Sequence, residues 1–232
     1  AREQGLEPLA MLLLMQKEQN PIVASKRFVR GNVDNEIAAL QGAKDIIAEM
    51  VSENQQARNT VRNMYKREAV LSSMVIKKMK STDVAQKFSD YFDFSEPLRS
   101  CNSHRLLAMR RGETLGILRV SISIDGKDCI ERLNRQFVHG KGACQTLVAE
   151  AIEDSFKRLI NPSIENEFAR LSKEKADEDA IKVFTENLRQ LLLSAPLGQK
   201  RVLALDPGYS NGCKIACLDA QGSLLHHEII YP

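Results

Sequence analysis

The feature that most restricts the fold of this chain is a change of period near residue 200. Up to Leu193, apolar residues recur mostly at helical spacing. Beyond the breaker "SAPLGQK" (194–200) they come in short runs at strand spacing. Val202–Leu205 is wholly apolar, stops at Asp206, and turns through Pro207 and Gly208. Cys213–Leu218 and Leu224–Tyr231 follow, with "DAQGS" (219–223) as a tight turn between them. Three successive strands with short links pair as antiparallel neighbours. The expected architecture is therefore mainly α over residues 1–196, followed at 197–232 by three antiparallel strands that open a second domain.

The first eighty residues read as helices. Leu6, Leu9, Ala10, Leu13 and Leu14 follow the 3.6 period. Asp34 is a candidate N-cap for a helix burying Ile37, Leu40, Ile47 and Val51, and Ser52 with Gln55 has the spacing of a capping box for the next one. That next helix is expected to run through a basic stretch from Arg58 to Lys80. Residues 103–113 read as a short helix capped by Ser103 and stopped by Gly112. Residues 116–125 alternate, with Leu118, Val120, Ile122 and Ile124 on one side, and read as a strand with one buried face. Helix returns at 127–137 and again after Gly142. Asn161 with Pro162 suggests a fresh helix start there, with Ile164, Phe168, Leu171, Ala180, Phe184, Leu188 and Leu191 facing a core.

Charge matters here by distribution more than by its total of +3. Residues 58–80 hold seven Lys/Arg and one acid, whereas 148–179 hold nine acids and five bases. One basic face suits nucleic acid. The candidate contacts are Arg58, Arg62, Lys66, Arg67, Lys77 and Lys78, with a second cluster at Arg105, Arg110 and Arg111 beside His104. The competing reading makes them a solvated face, or partners of the acidic helices after Val148. The five cysteines are scattered without a CxxC pair, which fits reduced thiols in nucleus or cytoplasm and neither a disulfide framework nor a zinc site. No apolar run is long enough to span a membrane. The sequence opens without Met, and it reads as a piece of a longer protein.

Asp206 is the one acid at a strand end suited to hold a catalytic metal. Two-metal phosphodiester cleavage needs several such carboxylates; by its spacing Asp206 reads first as the initiator of a plain Asp-Pro-Gly turn, with a vestigial metal-binding acid as the other candidate. His226 and Glu228 share a strand face and His227 does not, leaving too few ligands for zinc. No phosphate loop, nucleophilic triad, metal or cofactor is expected.

The blocks "GLEPLA" (5–10), "ALQGAKDIIAE" (39–49), "YFDFSEPL" (91–98), "SHRLLAMRRGE" (103–113), "NPSIENEFARLSKEKADEDAIKVFTENLRQLLL" (161–193) and "VLALDPGYSNGCKIACLDAQGSLL" (202–225) resemble the Tex family of transcription accessory proteins, in the family's order. The thiol-rich variations resemble an animal member carrying an S1-type RNA-binding domain. The resemblance implies that residues 197–232 begin a YqgF-type, ribonuclease-H-like α/β domain that is generally inert as an enzyme. It also implies that the larger protein binds RNA or DNA and works with the transcription machinery. The family's corner usually reads Asp-Pro-Gly, any residue, Arg-Thr-Gly; here Ser210 and Asn211 follow Tyr209, which removes an Arg that would reach phosphate. Non-enzymatic nucleic-acid binding is the leading expectation, ahead of an Asp206 nuclease and of a helical protein-docking module.

Overall fold

The structure, a computed structural model, describes residues 1–196, 198–208 and 212–231. Contacts divide the chain after Ile181 into two units.

The first unit opens with α1 (Glu7–Met15), α2 (Pro21–Ser25), α3 (Glu36–Glu53) and α4 (Gln55–Glu68). Helix α3 is the centre of the packing, against α1 and against the later helix α8 (Ala143–Asp154). Ala39, Ala43, Ile46, Ile47 and Val51 form its buried stripe. Fully burying an isoleucine contributes roughly 1.5–3 kcal/mol, so packing rather than propensity holds this helix. Ile37, expected on that stripe, lies in the first turn and is 78% exposed. The cap is Asn35, not Asp34: its Oδ1 accepts from the Ala38 N–H at 2.8 Å. Ser52 does not start α4 either. It sits inside α3 with its hydroxyl donating to the Glu49 carbonyl, and Asn54 caps α4 by accepting from Gln56 and Ala57.

The expected helix from Arg58 to Lys80 ends at Glu68. Strand β1 (Val70–Val75) follows, and a single tight turn carries Lys77 and Lys78. After α5 (Asp83–Gln86) come β2 (Asp93–Pro97), α6 (Ser103–Thr114) and β3 (Leu118–Ser123). The sheet order is β2-β1-β3, all antiparallel, so β1 is the missing partner of the alternating strand. Leu118, Val120 and Ile122 are buried as the alternation requires. Gly112 does not stop α6. It lies within the helix, buried, and a Cβ there would meet Leu118 Cδ1 at 2.6 Å. The residue before α6 is Asn102, so Ser103 is its first residue rather than its cap.

Helix α7 (Gly126–Phe137) precedes α8, which does not break at Asn161. A π-turn over Ser155–Ile160 joins it to α9 (Asn161–Leu192). Proline within a helix lacks an N–H and crowds the carbonyl four residues back; the wider π-turn immediately before Pro162 relieves both. Asn161, expected as a cap, accepts instead from the buried Tyr65 hydroxyl at 2.8 Å. On α9, Ile164 is buried and Phe168 packs on the core, but Leu171, Ala180, Phe184, Leu188 and Leu191 are exposed, contrary to the apolar-stripe reading.

In the second unit, β4 (Val202–Asp206), β5 (Cys213–Leu218) and β6 (Leu224–Ile230) form the expected antiparallel sheet, in the order β4-β5-β6. Asp219 closes the β5–β6 turn by accepting from the Gln221 and Ser223 N–H groups at 2.9 and 2.8 Å.

Candidate nucleic-acid interface

The structure separates the basic residues into those already engaged and those that are free. On α4, the Arg58 guanidinium donates to the Ser52 carbonyl and to Ser163 Oγ at 2.9 Å. Arg62 forks onto Glu167 of α9, with Nε–Oε1 at 2.9 Å and Nη2–Oε2 at 3.0 Å. That hydrogen-bonded pairing holds the Glu167 carboxyl below its ordinary value and raises Arg62. Arg105 pairs with Glu96 at 2.9 Å and stands over the Phe94 ring, and Arg110 pairs with Glu113 at 2.7 Å. Lys66, Arg67, Lys77, Lys78 and Arg111 are exposed and make no ion pair among the described residues. They do not form one patch. Lys66 and Arg67 precede β1 and Lys77 and Lys78 follow it, so six residues of strand, about 20 Å, lie between them.

A cleft of about 820 Å³ lies between α4, the 98–106 segment and α9. Arg62, Lys66, Arg99 and Lys175 contribute its cations, and Phe168 with Leu171 contributes apolar wall. Phe168 is backed by Tyr65, with ring centroids 5.1 Å apart. Burial first, then the nearby Glu165 charge, pushes the Tyr65 hydroxyl well up, so it stays a neutral donor. The cleft also holds two carboxylates. Glu167 is tied by Arg62, and Asp179 accepts from Ser103 Oγ at 2.6 Å. Arg99 and Lys175 were not apparent from the sequence. Lys175 lies in a stretch whose overall sign is acidic, and Arg99 follows Pro97 outside any periodic segment.

Asp206 ends β4 opposite Lys214 of β5, whose Nζ is 3.7 Å from its carboxylate, and both side chains are largely exposed. Among the described residues no three His, Cys, Asp or Glu side chains converge on a possible cation. The residues present therefore do not fit a two-metal centre. Glycine is required at the corner after Asp206: a Cβ on Gly208 would meet the Gly212 carbonyl oxygen at 2.5 Å. Tyr209, Ser210 and Asn211, where the resemblance leads to the expectation of an Arg-Thr pair, lie outside the described residues. His226 Nε2 and Glu228 Oε2 lie 3.5 Å apart on one face, as the strand period predicts.

The Tex central region-like family matches residues 16–184, and the Tex protein YqgF-like domain matches 200–232. The chain belongs to the Tex family. All of it aligns with "Uncharacterized protein YdcI" of Bacillus subtilis at 37% identity, covering 33% of that protein. It aligns equally completely with "Transcriptional accessory protein Tex" of Neisseria gonorrhoeae at 36%, covering 31%. The human "S1 RNA-binding domain-containing protein 1" matches at 32%, with 24% of its length covered. The chain thus spans a third or less of the length of these Tex relatives. Its closing antiparallel sheet is consistent with the start of a YqgF-like domain, and among the described residues no helix is long and apolar enough to cross a membrane.

Proposed function

We propose that this region is a non-enzymatic nucleic-acid-binding scaffold of a transcription or RNA-metabolism factor, with single-stranded RNA as its ligand. The observation that carries the reading is the cleft of α4 and α9, whose lining brings Lys66, Arg99 and Lys175, unpaired among the described residues, together with Phe168. Cations that neutralise phosphates, beside an aromatic ring that stacks bases, are what single strands require. The names of the relatives support the same direction, one being a transcriptional accessory protein and one carrying an S1 RNA-binding domain. We place the domain boundary at 196/197, in the breaker between the two family matches. The factor would act in the nucleus or cytoplasm beside the transcription machinery.

The non-enzymatic reading is supported by Asp206, whose charged neighbour among the described residues is Lys214 rather than a second carboxylate. Titrating labelled single- and double-stranded RNA and DNA at several salt concentrations tests the binding. RNA affinity that weakens steeply with salt is expected; absence of binding at low salt would leave protein docking as the better account. Incubation of linear and branched substrates with magnesium or manganese tests the rest. Cleavage abolished by Asp206→Asn would overturn the non-enzymatic reading.

A further inference from the structure

We infer that a groove between α5 and α6 is a docking site for an acidic amphipathic peptide segment of a partner protein. His104, Leu107, Ala108, Arg111 and Leu115 lie along α6 and its last turn at the spacing i, i+3, i+4, i+7 and i+11. At 100° per residue they share an arc of about 100°, roughly opposite the buried Leu106 and Met109. Val84, Lys87 and Phe88 form the facing wall, and together the two walls enclose about 470 Å³.

The composition of the walls selects the occupant. Five of the eight lining residues are apolar, and Val84 and Leu115, 53% and 50% exposed, lie open to solvent. An open apolar groove suits the anchor side chains of a helix at i, i+3 or i+4 and i+7. Its other three residues are Lys87, Arg111 and His104; no carboxylate lines it, and among the described residues none of the three makes an ion pair. The carboxylates on neighbouring segments lie outside it, Glu113 being held by Arg110. Apolar anchors flanked by Asp and Glu complement this surface in both shape and charge. A nucleic acid fits less well. The one aromatic ring, Phe88, is 8% exposed and presents no face on which a base stacks.

The test uses the 232-residue chain and a fluorescein-labelled synthetic peptide of about sixteen residues, with leucines at i, i+3, i+4 and i+7 and Asp or Glu elsewhere. A scrambled peptide of the same composition and a labelled single-stranded RNA serve as competitors. The expected result is saturable binding of the patterned peptide that the scrambled one does not match. Arg111→Glu and Leu115→Asp, both at exposed positions, are each expected to weaken it at least about tenfold. Unchanged circular dichroism spectra would show that both variants remain folded. Lys66→Gln, in the separate cleft, is expected to leave peptide binding intact. No binding of the patterned peptide, equal binding of the scrambled one, or insensitivity to both groove variants would overturn the proposal. So would displacement of the peptide by RNA at equal concentration, which would reassign the groove to nucleic acid, or chain self-association abolished by Leu115→Asp, which would assign it to a second copy.

Discussion

Arg62 and Glu167, 105 residues apart in sequence, meet as a two-pronged ion pair that joins α4 to α9 beside the cationic cleft. Their side chains are 27% and 26% exposed, so the pair is screened less than a surface bridge. A double-mutant cycle with Arg62→Ala and Glu167→Ala is expected to give a coupling of about 1 kcal/mol. The pH dependence has a definite sign. Because the folded-state value of Glu167 is depressed, the unfolded chain binds more protons in the acid range. The contribution is therefore complete above the ordinary value of 4.5 and is lost as pH falls through the folded value. Denaturant melts between pH 3 and 7, roughly the span over which carboxylates titrate, should show a steeper acid loss in the parent than in Arg62→Ala.

Gly112 gives a prediction opposite to helix propensity. Replacing a mid-helix glycine with alanine favours the helix by about 1 kcal/mol. Here the new Cβ would lie 2.6 Å from Leu118 Cδ1 and 3.1 Å from Phe88 Cδ1, and Leu118 is 1% exposed with little room to move. Overpacking of this kind costs about 1–3 kcal/mol. Gly112→Ala is expected to lower stability by about 1 kcal/mol net, and Gly112→Val by more. Urea denaturation measures both; a stabilised Gly112→Ala would show that the α6–β3 contact yields easily.

The cysteines should separate by reactivity. Burial pushes the Cys129 thiol up to about 12, and burial raises Cys144 as well. Both are fully buried, whereas Cys213 and Cys217 are partly exposed. Cys101 is partly exposed too, but burial, with the neighbouring Glu96, pushes its thiol up to about 12. The thiolate is the reacting species. Brief iodoacetamide treatment of the native chain near pH 8, about the ordinary thiol range, should modify Cys213 and Cys217 first and leave Cys129 and Cys144 intact. Peptide mass spectrometry reads the order; early modification of Cys129 would mean that the α7 core opens readily.

The strands that could be read from the sequence were those with a clean period of two or a short apolar run between turn signals. β3 alternates apolar and polar without interruption, and β4 is short and apolar. β1 escaped because Ser73 occupies a buried position, where its hydroxyl donates to the Tyr91 carbonyl at 2.6 Å. A polar residue on the inner face erases the alternation, and only the tertiary acceptor explains it. The break expected at Asn161–Pro162 failed for a related reason. Asn161 has a distant partner in Tyr65, and a π-turn makes room for the proline. Of the candidate contacts, α4 and its cations were legible. Which of them were free was not, because Glu167, Ser163, Glu96 and Glu113 reach them through the fold or a helical turn.

That division between engaged and free cations yields the last prediction. Each phosphate neutralised on a single strand contributes about 0.7 to the slope of log affinity against log salt. Lys66, Arg99 and Lys175 line the cleft without an ion-pair partner among the described residues, so each is available to a phosphate. Single changes to Gln at these positions are expected to weaken single-stranded RNA binding several-fold and to reduce the slope by up to about 0.7 each. Arg110→Gln should leave the slope unchanged, because Arg110 is already bonded to Glu113. Lys77→Gln with Lys78→Gln discriminates further. These residues lie at the far end of β1, a strand about 20 Å long, and do not line the cleft, so a short oligonucleotide seated in the cleft should not register their loss. An unchanged slope in all three cleft variants, together with a reduced one in the Lys77 and Lys78 variant, would move the binding surface to the far end of the sheet.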